Sequence, residues 1–197
     1  MKNIILASKS PRRREILSNA GLEFTVLTPE VDERAVVYSD SPEKYVSEIA
    51  LLKGNAAFAS LDDDDKDNSV VVSADTMVFV PAKNDAPPVP LGKPKDRDDA
   101  YRMLKMLSDS SHSVITGVCV TDRSGTDSFC VKTDVFFRPL SDEEIFSYID
   151  SSKPYDKAGA YGIQEKASVF VSEIRGDYFN VMGLPICETY RRLMPRL

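Results

Sequence analysis

One segment crowds together groups that seek phosphate: Ala7-Ser-Lys-Ser-Pro-Arg-Arg-Arg14. It follows the apolar run that ends at Ala7 and precedes a helical pattern. Ser8, Ser10, Arg12 and Arg13 therefore stand where a strand feeds a helix N-terminus. Backbone N–H groups there point outward, and the helix dipole adds positive potential. Arginine grips phosphate oxygens with two parallel hydrogen bonds. The same residues also read as an N-cap serine followed by solvated arginines, and at this level both readings stand. A Walker loop is excluded, because its glycines and its GK[ST] ending are missing.

Asp75-Thr76 interrupts the apolar run VVVSADTMVFV. A carboxylate there costs free energy unless something pairs with it. It either caps a turn or bulge, or it holds a metal ion or activates water. Lys53, late in a helical pattern, and Lys93, in LGKP, offer cations that in isolation read as solvated lysines. Glu33 is a further metal-side carboxylate or a loop residue. KAGAYGIQ (157–164) combines small residues with an aromatic, which suits close backbone approach to something flat. Its Gln164 carries an amide that both donates and accepts, as reading a base edge requires. A tight structural loop is the alternative. His112 is the single histidine, so histidine-rich metal sites are out, and ending a helix or bonding a loop suits it better than a catalytic triad.

These residues are positioned by strands and helices that mix without strict βαβ alternation. The spacing predicts strands over 3–7, 23–27, 70–80, 113–121, 126–137 and 167–174. Helices are predicted from Pro11 to Ala20, from Pro42 to about Phe58, from Asp96 to Leu107, from Ser141 to about Ile149 and from Pro185 to Leu193. Ser10-Pro11 and Ser41-Pro42 are helix starts, and Ser141 with Glu144 is a capping box. Tyr45, Ile49, Leu52 and Ala56 are expected on the buried face of the second helix. LDDDDKDNS reads as a solvated acidic loop, and PAKNDAPPVP as an enlarged hairpin tip. The pattern defines an α/β protein with a mixed twisted sheet and flanking helices, in a single domain over 1–197.

Bulk properties exclude other classes. The chain has 197 residues, 42% of them hydrophobic, and a net charge of -6. That balance disfavours nucleic acid as a partner but allows a small anion met by a few local cations. Cys119, Cys130 and Cys187 form no CxxC pair, and they are expected to be small buried thiols. No apolar run reaches the roughly 18 residues of a membrane span. A cytoplasmic protein without membrane partners is the expectation.

These stretches, taken in order, carry a resemblance. LASKSPRRREIL, SADT, LGKP, LSDSSHSVITGV, DKAGAYGIQ and the segment from Gly176 through VMGLPI resemble the Maf proteins, a family of nucleoside-triphosphate pyrophosphatases. The resemblance covers nearly the whole chain. It implies an elongated two-lobed fold with a central cleft, and hydrolysis between the α- and β-phosphates with a divalent cation, Mg²⁺ or Mn²⁺. It places the catalytic aspartate at Asp75, a general base or metal ligand; beside it, Glu33 is the carboxylate expected to assist at the metal. It places phosphate contacts at Ser8, Ser10, Arg13, Lys53 and Lys93. Substrate choice falls to Arg12, Thr76 and Gln164, a trio resembling the branch acting on dTTP and UTP. A homodimer is implied as well. The rival is a non-hydrolytic nucleotide-binding regulator of cell division, against which the carboxylate beside the phosphate groups argues. The chain departs from the family pattern at Ser73 and Glu165, where glycine is usual, and in longer loops at 61–68 and 81–90.

Overall fold

Ile4, Ile5 and Leu6 form a buried strand near the start of the chain, and a strand pairs with it on each side. The computed structural model describes residues 2–39, 41–82 and 86–197. In chain order the strands are β1 (Asn3–Leu6), β2 (Thr25–Val26), β3 (Ser69–Val80), β4 (Val89–Leu91), β5 (Ser111–Asp122), β6 (Gly125–Phe137) and β7 (Val171–Arg175). The helices are α1 (Pro11–Asn19), α2 (Pro42–Ala59), α3 (Asp63–Asn68), α4 (Arg97–Leu107), α5 (Asp142–Ser152), α6 (Tyr178–Met182) and α7 (Ile186–Leu193). Among the described residues, seven strands form one mixed sheet in the order β2-β1-β3-β5-β6-β7, with β4 beside β3. β1 runs parallel to β2 and β3, with Leu6 level with Val26 and Val72, while β3–β4 and β6–β7 are antiparallel. The mixed α/β class predicted from the pattern is the one observed.

Contacts divide the chain into two units, Met1–Thr76 with Thr116–Val131 and Gly183–Leu197, and Met77–Ile115 with Lys132–Met182. In the first unit α2 starts as predicted, with the Ser41 hydroxyl accepting from the Lys44 N–H. Its buried face differs from the expected one and consists of Val46, Ile49, Ala50, Gly54 and Ala57. Closeness decides this. A Cβ on Gly54 would lie 2.7 Å from the Ser73 hydroxyl, and one on Gly117 would lie 2.5 Å from the Val46 carbonyl. Small residues, rather than the larger Tyr45 and Leu52, let the helix backbone lie directly on β3 and β5. The acidic run is a correction too. It forms α3, with the Asp62 carboxylate capping the Asp65 N–H at 2.8 Å and three more aspartates in the first turn, where the dipole favours them. It remains exposed.

In the second unit, Asp96 caps α4, and Ser141 with Glu144 closes the predicted capping box of α5. The strand expected over 167–174 is half helical. A 3-10 turn occupies Lys166–Phe170, burying Ala167 and Phe170 three residues apart, before β7 begins. α6 is an element the periodicity did not reveal. His112 lies in β5, 1% exposed, with Nε2 2.8 Å from the Tyr161 hydroxyl and its ring edge-on to Phe137. In the enlarged hairpin tip, residues 83–85 lie outside the described residues. The cysteines are free, but Cys187 is exposed rather than buried. No helix among the described residues is long and apolar enough to cross a membrane.

Candidate active site

Pro11 opens α1 as predicted, but the Ser10 hydroxyl does not cap it. The local fold turns on Ser8 instead, whose hydroxyl oxygen accepts from the Ser10 N–H at 3.2 Å and from Arg13 Nη1 at 3.0 Å. Arg13 is only 8% exposed. Its Nε donates to the Gly183 carbonyl at 2.7 Å and its Nη2 to Thr76 Oγ1 at 3.0 Å. These bonds use three of the guanidinium's five N–H groups. Burial lowers the Arg13 pKa and Arg12 adds to this, against Asp75 and Glu33, which raise it. Arginine keeps its charge regardless, so the site holds a fixed buried cation. Thr76 Oγ1 also meets Thr116 Oγ1 at 2.9 Å. Gly183 itself has φ +123°, a conformation glycine adopts without strain.

Beside this brace lies a second cluster of the same unit. Asp75 sits on β3, 8% exposed. Lys53 of α2 reaches it with Nζ 2.8 Å from Asp75 Oδ1, and the same ammonium is 3.0 Å from Glu33 Oε1. Glu33 comes from a 3-10 turn (Glu33–Ala35) capped by Asp32. Burial raises the Asp75 pKa; Lys53 and Arg13 oppose this and Glu33 adds to it, so the net direction is upward. Tyr45, two turns before Lys53 on α2, feels the same carboxylates, and its phenol is pushed up by burial, Asp75 and Glu33. Arg12 is half-buried at the head of α1.

Lys93 and Gln164 belong to the second unit. Lys93 is exposed in a turn whose Gly92 carbonyl accepts the Gly159 N–H at 3.0 Å, so the LGKP and KAGAYGIQ segments are tied together. Gln164 Oε1 is buried without a hydrogen-bond partner. Glu165 spends its charge on Lys157, whose buried Nζ lies 3.4 Å from Glu165 Oε2 and 2.7 Å from Asp156 Oδ1. The negative charge that Glu165 introduces where the family has glycine is thus locally paired.

The structure brings together Ser8, Ser10, Arg13 and Thr76, and separately Glu33, Lys53 and Asp75, within one unit. It joins the Lys93 turn to the Gln164 loop within the other. Sequence reasoning missed Thr116, the Gly183 carbonyl and the buried Lys157. Gly183 carried a signal in its position between apolar residues, whereas a threonine in a strand carries none.

A mixed-sheet α/β protein with a buried arginine brace beside a desolvated aspartate–lysine pair belongs with proteins that handle phosphorylated small molecules. The model of the family described as Maf-like protein matches residues 3–195, and the chain belongs to that family. A protein of Geobacillus sp. (strain WCH70) named dTTP/UTP pyrophosphatase is 45% identical over 98% of this chain and 97% of its own length. One of the same name from Alkaliphilus oremlandii (strain OhILAs) is 48% identical over 94% of this chain and 92% of its own. Among solved structures, a HAM1 protein from Coxiella burnetii superposes with a TM-score of 0.52 over 99% of this chain and 100% of that one, at 16% identity. At that identity the likeness is one of fold.

Proposed function

We propose that this protein hydrolyses dTTP and UTP to the nucleoside monophosphate and pyrophosphate. The observation that carries the reading is Asp75, a buried carboxylate held at 2.8 Å by Lys53 within the unit that also buries Arg13. The relatives' shared name over nearly the full chain supplies the substrate class.

Asp75 takes a proton from a water molecule as its oxygen attacks the α-phosphorus. A new P–O bond forms, the bridging bond to the β-phosphate breaks, and its electron pair leaves with pyrophosphate. A base works best with a pKa near the working pH, and the upward shift of Asp75 moves it in that direction. Lys53, Arg13 and Lys93 offset the charge of the triphosphate and of the leaving group, which is the main protein contribution in phosphoryl transfer. Ser8 and Ser10 supply hydrogen bonds to phosphate oxygens. Arg12, Thr76 and Gln164 select the base. The unpartnered Gln164 oxygen is an acceptor suited to the N3–H donor that uracil and thymine carry and cytosine lacks.

Glu33 and Asp75 offer hard carboxylate oxygens to the same ammonium. Among the described residues no group of three or more metal-ligating side chains gathers. Two carboxylates fit Mg²⁺ or Mn²⁺, which complete their shells with water and substrate phosphate. Bound there, the ion supplies charge neutralisation on the phosphate oxygens.

Incubation of the purified protein with UTP or dTTP and Mg²⁺ tests the reading. The expected products are UMP or dTMP with pyrophosphate. Release of orthophosphate with UDP, or faster turnover of purine triphosphates, overturns it.

A further inference from the structure

Ser73 is used by none of the steps above, yet it is fully buried two residues before Asp75. Side chains two apart on a strand share a face, so Ser73 and Asp75 both look toward α2. The Ser73 hydroxyl donates to the Ala50 carbonyl at 2.7 Å. That carbonyl lies inside α2, where the helix ladder already gives it the Gly54 N–H. The serine bond is therefore not required to satisfy the helix. It fastens the helix to the strand.

What it fastens is one turn away from the reacting pair. Ala50 and Lys53 are three residues apart and lie on neighbouring positions of the helix surface. Val71 packs with Ala57, while Ser73 meets Ala50 and Gly54, so α2 and β3 run in opposite directions past each other. Helical side chains lean toward the helix N-terminus. Lys53 therefore leans along β3 toward Asp75, which it reaches at 2.8 Å. The depth of the helix is set at the same point. A Cβ on Gly54 would stand 2.7 Å from Ser73 Oγ and 3.0 Å from Cys119 Sγ, so the serine touches the helix backbone itself.

We propose that Ser73 is a positioning residue: its hydroxyl, bonded to Ala50, fixes the depth and register of α2 on β3 so that the Lys53 ammonium meets the Asp75 carboxylate. This rests on Asp75 being the catalytic carboxylate. Ser73 touches no reacting atom and acts through Lys53.

The test is the Ser73→Ala variant of the full chain, assayed with UTP and Mg²⁺. The expected result is a kcat lower by about tenfold with KM nearly unchanged, because misplacement of a catalytic group by a fraction of an ångström costs turnover more than binding. In a Lys53→Met background, followed under single-turnover conditions with enzyme in excess, Ser73→Ala should cost little more, since the two substitutions act through one contact. Gly54→Ala, which forces the helix away from Ser73, should reproduce the kcat loss. A Ser73→Ala enzyme with normal kcat overturns the proposal, as does a loss that adds in full to that of Lys53→Met. If Ser73→Ala does not fold, Gly54→Ala with unchanged kcat overturns it as well. Asp75→Asn separates the two levels. Retained turnover there removes the catalytic reading, whereas an inactive Asp75→Asn beside a normal Ser73→Ala removes only the positioning role.

Discussion

Two aspartates of the first unit, Asp75 and Asp122, expose little surface, 8% and 4%, yet they are held in opposite ways. Asp122 receives Lys2 Nζ at 2.8 Å and Arg196 Nη1 at 2.9 Å, and both the backbone N–H and the hydroxyl of Ser124. Burial alone would raise its pKa, but Lys2 and the two donors of Ser124 outweigh it and the net shift is downward. Asp75 has Lys53, shares it with Glu33, and shifts upward. Solvent exposure alone therefore does not set the direction of a carboxylate's pKa. How far it lies from the surface and how many donors are committed to it do. Four donors converge on Asp122, whereas Asp75, held by Lys53, keeps lone pairs that the proposed chemistry needs.

The comparison breaks most sharply in activity. Asp75→Asn should stay folded and lose roughly a hundredfold or more in turnover, the low end of general-base effects. Pyrophosphate release beside a thermal melt reads both quantities, and near-normal turnover would remove Asp75 from the chemistry. The next effect must be separated out before the carboxylates can be compared by pH. Burial pushes the His112 pKa down to about 4, against a small upward pull from Asp134. The unfolded chain binds that proton first as pH falls below 6.5, so stability declines from there toward pH 4, by about 3 kcal/mol at most. Urea unfolding across that range should show the slope, and His112→Gln should flatten it.

Asp122→Ala should cost about 1–3 kcal/mol, the penalty for partly buried donors left unpaired, with specific activity unchanged. The pH dependence of the two aspartates has opposite sign. The stabilisation by Asp122 is present above pH 3.8 and is lost as pH falls through its lowered folded pKa, so the deficit of Asp122→Ala should shrink in acid. The raised pKa of Asp75 makes its ionisation a cost, and Asp75→Asn should gain on the parent as pH climbs from 3.8 through the folded value. A gain by both variants at the same pH would dissolve the contrast. The smallest effect is the control. Asp142 accepts from Lys105 and Tyr101 while 52% exposed, and Asp142→Ala should leave the denaturant midpoint within experimental scatter.

Local chemistry was legible in the sequence where a single residue decides a boundary. Pro11, the Ser41-Pro42 start and the Ser141–Glu144 box sit where their capping rules place them. That Asp75 needs a partner was legible too, because an unpaired carboxylate in an apolar run is costly, but the partner, Lys53, was not. What stayed hidden depends on residues far apart in the chain. The buried face of α2 is chosen by Gly54 and Gly117, which admit the helix closely, and hydrophobic periodicity scores a glycine as nothing. The helix in the acidic run depends on the Asp62 cap, a local effect masked by the repulsion expected of like charges. The brace around Arg13 needs a backbone carbonyl 170 residues away, and no residue type announces a carbonyl.

That distance has a consequence for how the protein comes into being. The first unit is assembled from three separate stretches of chain, and the carbonyl that secures Arg13 belongs to the last of them. A nascent polypeptide emerging from the ribosome exposes the arginine-rich turn and Asp75 long before Gly183 is synthesised. Until that residue arrives, Arg13 cannot complete its hydrogen bonds. If the proposed function holds, a chain truncated before Gly183 carries the proposed catalytic side chains without the carbonyl that holds Arg13 in place.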